Sequence, residues 1–297
     1  MEGIIYAIIT VIAWGAWLAP SQNVEMQGQQ TRTFFVTLAV MVTAFIVALF
    51  NGISQLNLAN SWAPFLGGIL WAASAWSAFV GSKHLGMAKA FGIWAPLNIV
   101  VSILWGMILF GEFLEAEIIN LAIGIAALIA IATGILLIIF SGNDTSEQSP
   151  KLSIPGLMGA IGAGVGFASY FVPIQLARIE VNLWLATFPM SIGMFVGGSI
   201  LAITSRSSLR LKNISSYSRV LATGLIWSIG NYGALRMMEL IGTGKGFTIA
   251  QLCVVVNALI GIFIMKNPAP KSKAAKMTLI GVITATIGGT VIGNLNF

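Results

Sequence analysis

The chain has 297 residues, of which 57% are hydrophobic and only 8% charged, with a mean hydropathy of +0.93. A soluble domain carries about 25% charged residues, so this composition excludes a water-soluble globular protein and indicates an integral membrane protein embedded in a lipid bilayer. The net charge of +6 does not speak for nucleic acid as a partner, because the basic residues sit in short loops and form no basic face.

A spanning helix needs about 20 mostly apolar residues, and ten such runs fit between the polar breaks. The first, over 3 to 19, has no Lys/Arg-rich start and no small-x-small cleavage site, so it reads as a retained helix. Runs at 33 to 50, 62 to 80, 88 to 110 and 118 to 140 complete a first group of five. The polar stretch from Ser141 to Pro150 interrupts the pattern. Runs at 154 to 177, 183 to 204, 219 to 236, 245 to 265 and 276 to 294 make a second five.

The two groups are copies. Residues 68–109 and 224–265 align at a fixed offset of 156 without a gap, with identities that include Gly68/Gly224, Trp71/Trp227, Lys89/Lys245 and Phe91/Phe247. A second echo at offset 153 pairs Trp14 with Phe167, Trp17 with Tyr170, Pro20 with Pro173 and Gln22 with Gln175. The expected organisation is a first five-helix repeat over 1–140, a cytoplasmic linker over 141–153 and a second repeat over 154–297.

Of the 15 Lys and Arg, 12 fall in the odd-numbered loops, leaving Arg178, Arg236 and Lys245 in the even ones. Short cytoplasmic loops hold such an excess, so both termini are expected outside. Five is an odd number, and the second repeat therefore enters the membrane from the opposite face. The predicted fold is an all-α membrane protein of ten transmembrane helices in two inverted five-helix repeats, an arrangement typical of secondary transporters.

No catalytic or metal-binding constellation is present. There is one histidine, His84, one cysteine, Cys253, and no cluster at metal-ligand spacing, so no enzyme activity, metal or cofactor is expected. The carboxylates Glu112, Glu115, Glu117, Asp144, Glu147 and Glu180 fall at helix ends or in loops, where solvation explains them. Glu239 follows Arg236 by three residues, which suits either a helical ion pair at the membrane edge or a proton-coupling carboxylate.

Inside the spans the polar groups are amides, hydroxyls and indoles. The eighth span sets Trp227, Gly230, Asn231 and Ala234 on one face, matched on the third by Trp71, Ser74, Ala75 and Ala78. The fourth carries Trp94, Asn98, Ser102 and Trp105 on one stripe, with Pro96 able to kink it. The ninth carries Thr248, Gln251 and, on another face, Asn257. Trp62, Trp184 and Trp17 lie near span ends and fit interfacial anchoring. Asn231, Gln251, Trp71, Trp227, Trp94 and Asn98 are the candidate substrate-binding residues. Amides pair with hydroxyls and flat rings cover C–H faces, which suits a neutral polyol. Lys89 and Lys245 occupy equivalent first turns where the helix dipole disfavours a cation, and with Glu239 they are the gating or coupling candidates.

The strings Gly224-Leu-Ile-Trp-Ser-Ile-Gly-Asn231 and Leu240-Ile-Gly-Thr-Gly-Lys-Gly-Phe-Thr-Ile-Ala-Gln251 resemble the bacterial glucose/ribose uptake family. Leu70-Trp-Ala and Leu85-Gly-Met-Ala-Lys-Ala-Phe-Gly-Ile93 resemble the L-rhamnose transporter family. Both belong to the drug/metabolite transporter superfamily. The resemblance implies ten helices in two inverted repeats around a central cavity lined by spans one, three, four, six, eight and nine. Gly230-Asn231 and Gln251 match the sugar pattern, whereas Ala75 stands where an amide would repeat Asn231. The leading expectation is a cytoplasmic-membrane carrier for a sugar or similar polyhydroxylated solute, with a proton as the candidate coupling ion. Export of another metabolite, such as an amino acid, nucleobase or drug-like cation, is the second reading. A non-transporting receptor is the third.

Overall fold

A computed structural model describes residues 2–111, 117–141, 153–178 and 182–295, with the side chains of residues 243, 244, 247 and 248 outside that description. Most of the expected linker therefore lies outside the described residues, as do Glu112, Glu115, Asp144, Glu147, Glu180 and the Thr248 side chain. Among the described residues the chain is all helix: α1 Glu2–Ala16, α2 Gln29–Phe50, α3 Leu58–Leu85, α4 Met87–Phe110, α5 Ile118–Ile139, α6 Ile154–Ser169, α7 Val172–Ala177, α8 Leu183–Thr204, α9 Ile214–Ile241, α10 Thr243–Ala250, α11 Cys253–Leu259 and α12 Lys273–Gly293. Counting α1 with the short turn behind it and α6 with α7, eight helical segments are long and apolar enough to cross a membrane. The other two expected spans fall on α9, which is continuous, and on α10 and α11, which are not. The protein is a multi-pass membrane protein, and isoleucines such as Ile4, Ile8, Ile118 and Ile129 point outward as hydrocarbon-facing residues would.

The duplication extends to the helix caps. Asn57 and Asn213 stand 156 residues apart, and each accepts a hydrogen bond from the backbone N–H three residues on, at 3.1 and 2.9 Å. These caps satisfy an orphan donor at the starts of α3 and α9. Both helices run 28 residues. Both stop at a glycine, Gly86 at φ 78° and Gly242 at φ 89°, a left-handed conformation that a side chain would strain.

Without a hydrophobic force between helices in lipid, close approach depends on small residues. Gly68 of α3 faces the Met190 carbonyl of α8, and Gly193 of α8 faces the Phe65 carbonyl of α3. On its other side α3 meets α6, where a Cβ on Gly159 would lie 2.6 Å from the Gly81 nitrogen. α5 and α12 pack in the same way: a Cβ on Gly134 would lie 2.5 Å from the Gly281 carbonyl oxygen.

Helix neighbours follow a regular scheme. α3 packs on α6 as α1 packs on α9, α3 on α8 as α9 on α2, and α4 on α6 as α10 and α11 on α1. α2 with α8 and α5 with α12 complete the bundle. α4 runs on as a helix through Pro96, while the equivalent stretch of the second copy is interrupted at Gln251 and Leu252 between α10 and α11. A π-helical turn over Ile260–Ile264 follows. Pro96 costs α4 one hydrogen bond, which the packed α6 neighbour tolerates.

Candidate functional site

The centre of the bundle is aromatic. Trp71 of α3 and Trp227 of α9, the repeat-equivalent pair, meet edge to face with ring centroids 4.6 Å apart. Phe167 of α6 lies 5.9 Å from Trp71 and 6.5 Å from Trp94. Trp17 lies 6.4 Å from Trp71 and 5.5 Å from Phe79. Such tilted and T-shaped contacts suit the ring quadrupole. Trp17 is only 3% exposed, so it is a core residue and not the interfacial anchor its place near a span end suggested. The echo of Trp14 and Trp17 in Phe167 and Tyr170 was the available sign that rings on α1 and α6 belong to the interior.

Three of the six candidate binding residues, Trp71, Trp227 and Trp94, therefore come together. Asn231 follows Trp227 by one helical turn and is buried, lining a small cavity of about 20 Å³ with Thr187, Met190, Phe171 and Ile174. That space is of the order of one water molecule, so this arrangement is closed there. Gln251 is buried at the break between α10 and α11. The two amides do not bond each other, and neither has a hydrogen-bond partner among the described residues. Asn98 lies apart, half-buried on α4, where it accepts a hydrogen bond from Ser102 at 3.2 Å. A larger cavity of about 330 Å³ between α3, α4, α6 and α7 is lined by Trp62, Leu70, Trp105, Ser169, Val172, Pro173 and Leu176, none of them a candidate.

Both ends of the bundle are tied across. At one end Arg32, in the first turn of α2, is 1% exposed. Its Nε donates to Ser21 Oγ at 2.8 Å, an Nη to the Leu18 carbonyl at 3.0 Å, and its guanidinium lies 4.2 Å over the Phe79 ring. Ser21 Oγ is 2.6 Å from Thr223 Oγ1, which itself donates to the Arg219 carbonyl at 3.3 Å. The donor sequence therefore runs from Arg32 through Ser21 and Thr223 to α9. Arg219 donates to the Pro20 carbonyl at 2.6 Å, and Gln22 to the Ser82 carbonyl of α3 at 2.8 Å. Sequence reasoning counted Arg32 only as a loop charge.

At the other end Glu239 accepts from the Trp184 indole at 2.5 Å and pairs with Arg236 at 3.1 Å. Arg236 also reaches Glu2 of α1 at 3.9 Å. Trp184 stacks on Tyr232 with centroids 5.3 Å apart. The equivalent lysines part company: Lys89 is 5% exposed in the core of α4, whereas Lys245 of α10 is exposed.

Comparison with known proteins fits this geometry. The family of sugar transport proteins matches residues 5–295. The glucose uptake protein GlcU of Bacillus subtilis is 26% identical over 293 residues, covering 98% of this chain and 97% of its own. A protein named "Probable glucose uptake protein GlcU" from Priestia megaterium is 26% identical over 294 residues, with 98% of each chain covered. These relatives are named as uptake proteins and not as enzymes. A crystal structure sharing 15% identity has a TM-score of 0.62 and covers 98% of this chain and 97% of that one, a likeness of fold. With a family match that takes in both copies of the repeat and every residue of the aromatic centre, the chain belongs to the sugar transport protein family.

Proposed function

We propose that this protein carries a sugar across the cytoplasmic membrane by alternating access, with ten spans in two inverted repeats, 1–140 and 154–297, rocking around the Trp71–Trp227 centre. The neighbour scheme supports a two-fold repeat, because moving five spans along the chain exchanges most helix contacts for others of the same kind, and the odd number of spans per repeat then implies inversion. The observation that carries the sugar reading is the chemistry of that centre. Rings gather there, the buried Asn231 amide lies one helical turn from Trp227, and no buried carboxylate occurs among the described residues. Apolar C–H faces stack on rings, and hydroxyls pair with amides that both donate and accept. Family membership and the names of the relatives point the same way.

The Arg32–Ser21–Thr223 tie and the Glu239–Trp184 tie then serve as gates at opposite faces, the first cytoplasmic by the loop-charge excess, with both termini outside. Counterflow of labelled monosaccharides in proteoliposomes tests the function. Exchange of at least one sugar, and none of amino acids, nucleobases or organic cations, is expected. A folded sample that exchanges no sugar would sink the reading.

A further inference from the structure

We infer that the indole N–H of Trp14 is a specificity-determining donor that bonds one hydroxyl of the carried sugar, opposite the rings on which the sugar stacks. This rests on the sugar-carrier reading and deepens it.

Trp14 lies on α1, packed between the central aromatic cluster and a second cluster of Ala7, Met237 and Ala250. Its Nε1 is buried and has no hydrogen-bond partner among the described residues. Two other indoles of the chain are satisfied, Trp105 donating to Ser169 at 2.9 Å and Trp184 to Glu239, whereas Trp76 Nε1 on α3 is also buried without a partner among the described residues but does not lie beside Gly230. A buried donor left unpaired is unfavourable, and native folds keep one where it has a task. The indole approaches this position because residue 230 is glycine; a Cβ there would lie 2.8 Å from Nε1 and closer still to Cδ1.

Comparing the two copies sharpens the assignment. Offset 153 sets Trp14 opposite Phe167, while offset 156 sets Gly230 opposite Ser74 and Ala250 opposite Trp94. Phe167 sits between Trp71 and Trp94, rings that offer stacking faces. In the other copy the Trp94 ring is replaced by Ala250, followed at once by the Gln251 amide, and the donor-free Phe167 by a donor-bearing Trp14. Ser228 Oγ on α9 is likewise buried without a partner. Among the buried side-chain atoms without a partner in the described residues, Trp14 Nε1 on α1, Ser228 Oγ and Tyr232 Oη on α9 and Asn257 Oδ1 on α11 lie on the side formed by α1, α9 and α11, whereas Trp76 Nε1 lies on α3. The rings of Trp71, Trp94 and Phe167 that pack together lie on α3, α4 and α6. A pyranose presents the complementary pair, a C–H face and a hydroxyl rim.

Trp14→Phe keeps a ring and deletes the donor. Ligand-induced thermal stabilisation of the purified protein is measured with D-glucose and each of its monodeoxy analogues. A lost neutral hydrogen bond weakens binding by about five- to ten-fold, so the variant is expected to bind glucose that much more weakly. One monodeoxy analogue should bind variant and wild type equally. Trp14→Tyr, which also lacks the N–H at that point, should show the same loss. Unchanged glucose affinity in both variants, or a wild-type panel in which every analogue binds within about two-fold of glucose, overturns the assignment. A wild type that binds no sugar at all fails the sugar-carrier reading instead.

Discussion

Arg32 tests whether a buried guanidinium is kept for its charge or for its shape. Two substitutions separate these: Arg32→Lys retains the charge, and Arg32→Met retains length without it. In the wild type the side chain makes two charge-assisted hydrogen bonds, at 2.8 and 3.0 Å, and a cation–π contact at 4.2 Å. Each such hydrogen bond is worth about 1.5–3 kcal/mol, and a desolvated cation–π contact about 2 kcal/mol. A lysine ammonium is a point charge that cannot take both bonding positions at once. It loses at least one bond while still burying the ion, a net loss of about 2 kcal/mol. Methionine loses all three contacts but also escapes the cost of burying an ion, several kcal/mol, so its fold stability stays within about 2 kcal/mol of wild type. The expected order of thermal stability in detergent is wild type, then Met, then Lys. Cys253, the single cysteine and buried at 6% exposure, reports unfolding through a thiol-reactive dye. In liposomes the Met variant should also leave the Leu18–Gln22 segment more open to water-soluble reagents, because the link from α2 through Ser21 to Thr223 is cut. A Lys variant as stable as wild type beside an unfolded Met variant refutes the reasoning, since charge alone would then suffice.

The repeat-equivalent lysines should respond unequally. Lys89→Ala, at a buried position, is expected to cost about 2 kcal/mol or more in thermal stability through lost packing and interactions, whereas exposed Lys245→Ala should stay within about 0.5 kcal/mol; equal effects would contradict the asymmetry of the two copies. Glu239→Gln removes an ion pair between half-exposed partners, so its stability effect is expected below about 1 kcal/mol. If Glu239 is the proton carrier, a pH jump should drive uptake in the wild type and not in this variant. Equal pH-driven uptake in both relieves Glu239 of that role.

Much of the architecture was legible because lipid punishes irregular backbone, so apolar run length and polar breaks nearly dictate the helices. The Asn57/Asn213 caps and the Gly86/Gly242 stops fall at the repeat offset read from the sequence. Trp71 and Trp227 were paired in the sequence as repeat equivalents, and their contact, with ring centroids 4.6 Å apart, is what the structure adds. Burial of Arg32 was not legible. A cation at the edge of an apolar run looks like a loop charge until the turn after α1 folds over it and supplies oxygens. The break between α10 and α11 was not read from the sequence either. Pro96 removes one donor from α4, which its packed neighbours absorb, whereas the residues before Gln251 include Gly242, Gly244 and Gly246, which weaken a helix without any proline. Asn98 fell on the same helical stripe as Trp94, yet its nearest polar neighbour proved to be Ser102 one turn away on its own helix.

The glycine contact between α5 and α12 bears on how the molecule can move. These helices close the two sequence halves, and they touch through backbone: Gly134 against Gly281, and Gly288 against the Ala127 carbonyl. Beside that line lies a separate apolar cluster of Ile99, Ala127, Ile131 and Ile292. A contact this close, with the Ala285, Ile138 and Ile131 side chains beside the glycines, leaves little room for a bulkier residue to slide past. If the halves rock as proposed, the pair is expected to act as a keel, holding them together along one edge while the opposite edge swings, and a tether or fluorescent reporter anchored there should not arrest the movement.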